Sequence, residues 1–322
     1  MSLPATHPLA DGRTSGAPLI RAYRGERLPT PPIWFSGQAG LNPVHEHGVD
    51  AAVLYTDVTV ALRVAGLVAG DGVLAGSPVR SASDVLALRP LDPGALAPVE
   101  DAVARAVAEL GPVPLVGSAG APFTLASFLV EGGASSDHLR ARAMMYADPH
   151  AWAGLLNWCA DVTGAFLRAQ VIAGASAAQL SDPAIGSLSR RDFQRRVAPH
   201  SKRAFDALRG LDVPRIHVGG GSGDVLDLLP GIGATVVGVD WRLPLDEASE
   251  RLGRTVPIQG NLDPALLSAP WQTLAAHIDD VLERGVSASA HVVDLGGDLP
   301  PGTDPDVLTR IVNRVRGGDP SL

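Results

Sequence analysis

One aspartate near the end of a short apolar segment is the strongest candidate catalytic residue in this sequence. Asp57 follows Ala52-Val53-Leu54-Tyr55 and a single threonine. If that segment is a strand, the carboxylate of Asp57 stands at the strand's C-terminal end, where α/β barrels hold their ligands and catalytic groups. A carboxylate at this position also suits the N-cap of a following helix. The sequence pattern leaves both interpretations open.

Polar and glycine residues follow other apolar segments in the same way. The residues at those ends are Gln38, Ser118, Asp182, Gly219 to Gly221, Trp241 with Arg242, Asn261, and Gly296 with Gly297. His217 lies inside its segment, and Asp294 lies near the end of the last one. Their recurrence at one rim predicts a ligand site, although glycine also serves tight turns. His217 has a second interpretation, as a histidine hydrogen-bonded within the sheet.

Two further patterns bear on anion and metal binding. The stretch Gly219-Gly220-Gly221-Ser222-Gly223 opens a predicted helix whose N-terminus could cradle an anion. It lacks the lysine of a P-loop and the spacing of a dinucleotide-binding motif, so it gives little support to nucleotide binding. His45 and His47 flank Glu46, but no third ligand accompanies them, and Cys159 is the one cysteine. We therefore expect neither a metal site nor a disulfide.

Eight short apolar segments are typical of buried parallel strands. They span 33–36, 51–55, 113–117, 175–180, 215–218, 235–240, 256–259 and 291–295. Helical patterns between them span 97–110, 150–173, 190–209, 245–252 and 270–284. This alternation predicts an α/β fold, a single (β/α)₈ TIM barrel over residues 21–316. Residues 1–20 are polar and rich in turn formers, and they predict a flexible N-terminal arm.

Composition narrows the class of protein. The chain has 322 residues, of which 46% are hydrophobic and 19% charged, which is enough for a sizeable core. Its formal net charge of −8 argues against a nucleic-acid binder, and any acidic substrate must find local cations. No apolar run reaches membrane-spanning length and the N-terminus lacks a signal-peptide pattern. We expect a cytoplasmic protein that acts on a small molecule, without a membrane or nucleic-acid partner.

Six motifs, in order along the chain, closely resemble those of the uroporphyrinogen decarboxylase family. They are IWF with QAG at 33–35 and 38–40, GVDAA at 48–52, GAPFTLASFLVEGG at 120–133, PRIH at 214–217, GVDW at 238–241 and QGNLDP at 259–264. The resemblance covers roughly residues 20 to 316. It implies a (β/α)₈ barrel, a homodimer, and a decarboxylase that needs no cofactor.

The resemblance also implies a chemistry. The family removes carboxyl groups from the acetate arms of uroporphyrinogen to give coproporphyrinogen. Protonation of a pyrrole carbon makes a cationic ring that accepts the electrons left as CO₂ departs. An aspartate beneath the macrocycle stabilises that cation, and arginines hold the carboxylates. Asp57 matches the family aspartate and is the predicted catalytic residue. The predicted substrate-binding residues are Gln38, Phe128, Asp182, His217 and Arg242.

The departures from the family pattern fall almost entirely in the site. Two family arginines are replaced by Gly37 and Leu41, and a helix-and-loop segment carrying another arginine is absent before Asn42. The family tyrosine, serine and histidine are replaced by Phe128, Pro183 and Gly297, respectively. Scaffold motifs remain while substrate contacts change together, which indicates a changed ligand.

Four functions remain open at the sequence level. The first is a decarboxylase that keeps the ancestral reaction, and the second is a repurposed decarboxylase acting on a smaller or less acidic heterocycle. The third is a non-catalytic porphyrin-binding or regulatory protein. The fourth is a corrinoid-type methyltransferase, which uses zinc held by a histidine and two cysteines. We expect the second, with uroporphyrinogen turnover weak or lost, because several charged contacts are missing.

Overall fold

Parallel strands in consecutive order form the centre of the molecule. The computed structural model describes residues 2–70 and 72–318. These residues form one seven-stranded sheet in the order β1 to β7, and every neighbouring pair is parallel. The strands are β1 Ala52–Val53, β2 Leu115–Gly120, β3 Ala177–Ser181, β4 Arg215–Val218, β5 Val236–Gly238, β6 Ile258–Gln259 and β7 His291–Val292. The predicted α/β class is confirmed.

The strands are buried because their sequences are apolar on both faces. All six residues of β2 and the first four of β3 are buried. Such continuous burial is typical of parallel strands covered by helices. Each of the seven strands lies in or overlaps a predicted segment, but most are shorter than predicted.

The segment 33–36 differs from its prediction as a strand. Ile33 forms a single parallel bridge with Val293, beside β7, and Trp34 donates its backbone N–H to the Val293 carbonyl at 3.2 Å. On the other side the Ile33 carbonyl accepts the Asp50 N–H at 2.8 Å. The segment therefore lies between the two ends of the sheet, with too few ladder bonds to count as a strand.

α-Helices lie between most of the strands, and 3₁₀ helices connect β4 to β5. The α-helices are α1 Pro18–Tyr23, α2 Asn42–His47, α3 Val60–Val64, α4 Ala82–Ala87, α5 Ala97–Leu110, α6 Pro122–Glu131, α7 Leu139–Ala147, α8 Pro149–Ile172, α9 Arg190–Asp192, α10 Ala198–Asp206, α11 Leu245–Arg251, α12 Trp271–Gly285 and α13 Pro305–Val315. The long helix α8 packs against β2, β3 and α10. No helix among the described residues is long and apolar enough to cross a membrane.

Two predicted helices need correction. The helix predicted over 190–209 is interrupted by a π-helical turn, Phe193–Val197, between α9 and α10. Phe193 and Val197 are both buried, so the wider turn places both side chains in the core. The glycine-rich stretch opens a short 3₁₀ helix, Ser222–Leu228, rather than an α-helix.

The N-terminal arm contacts the body of the protein. His7 is 2% exposed, and its Nε2 lies 3.0 Å from the Val171 carbonyl and 3.2 Å from the Ala175 carbonyl. The Thr14 hydroxyl lies 2.8 Å from that of Ser176. These contacts place the arm beside the C-terminal end of α8 and the start of β3. The division into an arm and a barrel stays a prediction.

Candidate functional site

A cavity of about 470 Å³ opens at the C-terminal ends of the strands. This is the end where α/β barrels keep their chemistry. The wall is formed by segments that leave the sheet, together with two glutamines from inside it. These are 36–37, 56–58, 181–183, 218–220, 238–240 and 294–299, with Gln179 and Gln259. The sequence predicted this rim from its polar strand ends.

The wall of this cavity is acidic. The described residues that line it include five aspartates and no arginine, lysine or histidine. The aspartates are Asp57, Asp182, Asp240, Asp294 and Asp298. Such a wall attracts cations and N–H donors and repels carboxylates.

Asp57 lies in the wall, as predicted, and its carboxylate is held from its own side of the cavity. It accepts hydrogen bonds from the backbone N–H and the hydroxyl of Thr59, at 2.8 and 2.7 Å. The guanidinium of Arg63, one residue before the end of α3, reaches its other oxygen at 2.7 Å. Asp57 therefore holds the turn before α3 and also lines the cavity. The interpretation of Asp57 as the N-cap is wrong, because the N-cap of α3 is Thr59. Its side chain remains 46% exposed.

Asp182 is fully buried although it forms part of the wall. Its Oδ1 accepts a hydrogen bond from the Thr124 hydroxyl at 2.7 Å, while its Oδ2 has no hydrogen-bond partner among the described residues. His217 Nε2 lies 3.8 Å from that Oδ2, too far for a hydrogen bond. Burial raises the pKa of Asp182 to about 7 and lowers the pKa of His217 to about 4. Between about pH 4 and pH 7 the carboxyl group is therefore protonated and the imidazole is neutral.

Asp294 is also buried, but both of its carboxyl oxygens accept hydrogen bonds. Its Oδ1 accepts the backbone N–H groups of Ser36 and Leu295, at 3.1 and 2.7 Å. Its Oδ2 accepts the Gln259 amide at 2.8 Å, and the Tyr23 hydroxyl donates to the other end of that amide at 2.5 Å. Burial nevertheless raises the pKa of Asp294 to about 6.

This network was not among the predicted site residues. Asp294 was one of the polar residues of the predicted rim, near the end of the last predicted strand, but no specific role was assigned to it. Gln259 lay within a family motif and at the end of a predicted strand. The two positions gave a weak signal, and only the contact between their side chains shows that they act together.

The carboxylate of Asp240 binds backbone groups of the rim and is therefore not free to bind a ligand. It accepts the backbone N–H of Gly221 and that of Arg242, the latter at 2.8 Å. The Arg242 guanidinium lies 3.3 Å from the same carboxylate and 4.6 Å from the centre of the Trp241 ring. With its side chain 57% exposed, Arg242 lies outside the cavity wall.

Three other predicted binding residues also lie outside that wall. Gln38 is half-buried, and its Oε1 has no hydrogen-bond partner among the described residues. Phe128 on α6 is half-buried and packs against the core. His217 contacts the site through Asp182. The structure brings Asp57 and Asp182 into one wall, and ligand binding by the other predicted residues stays a prediction.

His45 and His47 lie on the short helix α2 and take separate protein partners. His45 lies 3.6 Å from the Glu109 carboxylate, and His47 Nδ1 lies 2.8 Å from the Thr309 hydroxyl. Their side chains thus diverge from the cavity, which agrees with an ordinary structural role for both.

Close backbone approach explains two glycines at the rim. A Cβ atom at Gly296 would overlap the backbone nitrogen of Trp241, and one at Gly219 would lie 2.8 Å from the Asp182 carbonyl. Either distance is shorter than real Cβ contacts allow. These glycines let neighbouring strand ends converge around the cavity.

Comparison with known proteins gives consistent results. The family model described as "Uroporphyrinogen decarboxylase (URO-D)" matches residues 39–318. A uroporphyrinogen decarboxylase from Arthrobacter sp. (strain FB24) is 49% identical, with 96% of this chain and 99% of the relative covered. One from Leifsonia xyli subsp. xyli (strain CTCB07) is 47% identical, with 98% of each covered. Among solved structures, a methyltransferase from Methanosarcina mazei matches with a TM-score of 0.81 at 17% identity, covering 94% of this chain and 98% of that one.

Proposed function

Because the chain belongs to the uroporphyrinogen decarboxylase family, we propose that it is a cofactor-independent carboxy-lyase acting on a nitrogen heterocycle with fewer acidic arms than uroporphyrinogen. Its relatives are named decarboxylases and match nearly the whole chain, which supports the reaction class. The M. mazei methyltransferase shares the fold at too low an identity to support a methyl transfer. A corrinoid-type site with two zinc-binding cysteines is also excluded, because the chain has one cysteine. This residue, Cys159, is buried on α8 outside the cavity wall.

The acidic cavity wall is the observation that carries the proposed substrate class. Uroporphyrinogen has eight carboxylates, each of which needs a cation or several N–H donors when it leaves water. The described wall offers no cationic side chain for them, and its ionisable lining residues are aspartates. An uncompensated charge costs several kcal/mol per group in a buried site, so a polyacid is disfavoured.

Two arginines that contact wall residues are already engaged. Arg63 pairs with Asp57 at 2.7 Å, and Arg242 pairs with Asp240 while lying over Trp241. A substrate carboxylate would have to compete with these aspartates for the guanidinium groups. One acidic arm is compatible with such competition at the exposed rim, but eight are not.

The proposed reaction uses Asp57 to stabilise positive charge. Protonation of a ring carbon turns the heterocycle into a cation, the C–C bond to the carboxylate breaks, and its electron pair enters the ring. CO₂ leaves, a proton from water joins the exocyclic carbon, and the ring carbon returns its proton. A carboxylate that is held in place before the charge develops favours the cationic state over the neutral one.

Three finer features belong to the same proposal. Segment 33–36 would serve as the eighth strand and close a (β/α)₈ barrel, which the bridge to Val293 and the hydrogen bond to Asp50 support. Residues 1–20 would form a separate arm. Family membership supports a cytoplasmic homodimer.

The test is anaerobic incubation of the purified protein with pyrrole-3-acetate carrying a ¹³C-labelled carboxyl group. We expect labelled CO₂ and 3-methylpyrrole in equal amounts, because the probe has one acidic arm and one ring N–H. The control is Asp280→Asn, which changes an exposed carboxylate on α12 that does not line the cavity. Absence of both products, with uroporphyrinogen converted to coproporphyrinogen in a parallel sample, would contradict the proposed substrate class.

A further inference from the structure

We propose that Asp294 is the specificity-determining residue of this cavity, because its buried negative charge excludes carboxylates from the cavity floor and orients the substrate with its ring inward. The floor consists of three buried side chains that line the cavity: Gln179 on β3, Gln259 on β6 and Asp294, two residues after β7. The inference rests on the proposed function and adds the orientation in which the one-armed heterocycle binds.

The hydrogen bonds of Asp294 favour its ionised form. Its Oδ1 accepts two backbone N–H groups, those of Ser36 and Leu295, and its Oδ2 accepts the side-chain amide of Gln259. The Tyr23 hydroxyl donates to the oxygen of that amide, which leaves the NH₂ group for Asp294. A proton on either carboxyl oxygen would therefore face an N–H donor. Hydrogen bonds of this kind stabilise the charged form of a carboxyl group.

No basic side chain among the described residues forms an ion pair with Asp294. All three of its hydrogen-bond donors are neutral groups. Two other wall aspartates differ in this respect, because Asp57 pairs with Arg63 and Asp240 pairs with Arg242. Water screens a buried and unpaired charge only weakly, so the field of Asp294 extends into the adjoining cavity.

The remaining two wall aspartates contribute less to the potential at the floor. Asp182 has one hydrogen-bond donor, the Thr124 hydroxyl, and burial raises its pKa to about 7, above the value of about 6 for Asp294. It therefore carries the smaller charge at neutral pH. Asp298 is exposed, so water screens its charge. Asp294 is thus the main source of negative potential at the cavity floor.

This charge determines which end of a substrate enters the cavity. A carboxylate against the floor would leave water and meet Asp294 without a cation beside it, which is strongly disfavoured. A ring N–H group is neutral, and a ring that gains positive charge is stabilised by the same carboxylate. Arg63 and Arg242, which contact wall residues, have side chains that are 38% and 57% exposed. The ring therefore faces the floor, and the acidic arm faces solvent and these arginines.

Binding of matched pyrroles tests both the charge and the orientation. The monoacid is pyrrole-3-propanoate, and the diacid is pyrrole-2,4-dipropanoate, whose arms extend from opposite sides of the ring. The amide counterpart of the diacid carries a propanamide in place of the 2-propanoate. None of the three can lose CO₂ by the proposed reaction, because the carboxylate of a propanoate lies too far from the ring for the electron pair of its C–C bond to enter it. Dissociation constants are measured by isothermal titration calorimetry at pH 7.

Wild-type protein should bind the diacid at least about tenfold more weakly than its amide counterpart, since one of the two carboxylates must face Asp294. Asp294→Asn should bring these two dissociation constants within about threefold of each other and leave the affinity for the monoacid nearly unchanged. Asp298→Asn removes an exposed carboxylate from the same wall and should keep the difference. Asp280→Asn, outside the wall, is the second control.

A charge exchange separates the effect of charge from that of packing. Asp294→Asn combined with Gln259→Glu moves the carboxylate to the neighbouring position. It keeps the hydrogen bonds that join the two side chains to each other and to Tyr23, Ser36 and Leu295. The double variant should therefore regain at least about tenfold discrimination against the diacid. Absence of this discrimination in a double variant that still binds the amide counterpart would overturn the proposal.

The outcome for Asp294 is separate from the outcome for the decarboxylase proposal, because the three compounds do not react. Equal affinities of the wild type for the diacid and its amide counterpart, or an unchanged difference in Asp294→Asn, would sink the role of Asp294 and leave decarboxylation of pyrrole-3-acetate standing. The expected affinities in a protein that forms no 3-methylpyrrole from pyrrole-3-acetate would support Asp294 and contradict the proposed reaction. Failure of all three compounds to bind would overturn the proposed orientation.

Discussion

Asparagine in place of Asp57 is expected to lower the decarboxylation rate by about two to three orders of magnitude, the cost of removing one preorganised electrostatic contact from a transition state. The amide keeps the size of the side chain and can still accept from Thr59, but it has no charge to stabilise a ring cation. Arg63 would then stand unpaired beside the cavity and oppose the cation further. Both effects act on the rate constant more than on substrate binding, because the charge develops in the transition state.

The measurement for Asp57→Asn is the steady-state rate with pyrrole-3-acetate. The side chain of Asp57 is 46% exposed, and pairs of that kind contribute about 0–1 kcal/mol to stability. The variant should therefore unfold at nearly the wild-type denaturant concentration. Asp280→Asn, which loses a comparable exposed ion pair on α12, should keep full activity. Wild-type turnover by Asp57→Asn would remove this residue from the chemistry.

Asparagine in place of Asp182 is expected to make the protein more stable at pH 8 than the wild type. Burial raises the pKa of Asp182 to about 7, against an ordinary value of 3.8. The native state therefore binds a proton that the unfolded chain loses, and the resulting stabilisation is complete below pH 4 and lost as pH rises through 7. A shift of this size corresponds to at most about 4 kcal/mol. Asparagine does not ionise, so the variant does not lose stability as pH rises through 7. Its amide oxygen still accepts the hydrogen bond from Thr124.

Urea denaturation between pH 4 and pH 8 measures the effect. The free energy of unfolding of Asp182→Asn, relative to wild type, should rise steadily over this range, with most of the change complete by pH 7. His217 and Asp294 titrate in both proteins, so their contribution largely cancels in the difference. Parallel curves for the two proteins would show that Asp182 is ionised normally.

The sequence predicted the fold best where periodicity was strong. Helix α5 begins and ends at the predicted residues, and α8 is displaced by one residue at each end. Most strands proved shorter than their predicted segments, because apolar composition does not reveal how far neighbouring strands stay paired. The π-helical turn at Phe193–Val197 also had no sequence signal. It depends on how the side chains of Phe193 and Val197 reach the core.

The site was predictable in position but not in its partners. Asp57 and Asp182 were found because carboxylates after buried parallel strands must share one rim. The Thr124 donor of Asp182 and the Ser36 donor of Asp294 come from residues more than 50 positions away in the sequence. Arg242 shows the converse, because its place after a strand suggested a ligand contact while Asp240 and Trp241 hold it at the rim.

The most direct measurement of the central claim is the carboxyl count of the products after anaerobic incubation of the wild-type protein with uroporphyrinogen. The acidic wall, with no cation among its described lining residues, predicts that the eight-carboxyl compound is recovered largely unchanged while pyrrole-3-acetate is decarboxylated in a parallel sample. Conversion of uroporphyrinogen to the four-carboxyl coproporphyrinogen at a rate equal to or above that of the monopyrrole would contradict the claim, because it would show that this wall binds a polyacid without the missing arginines.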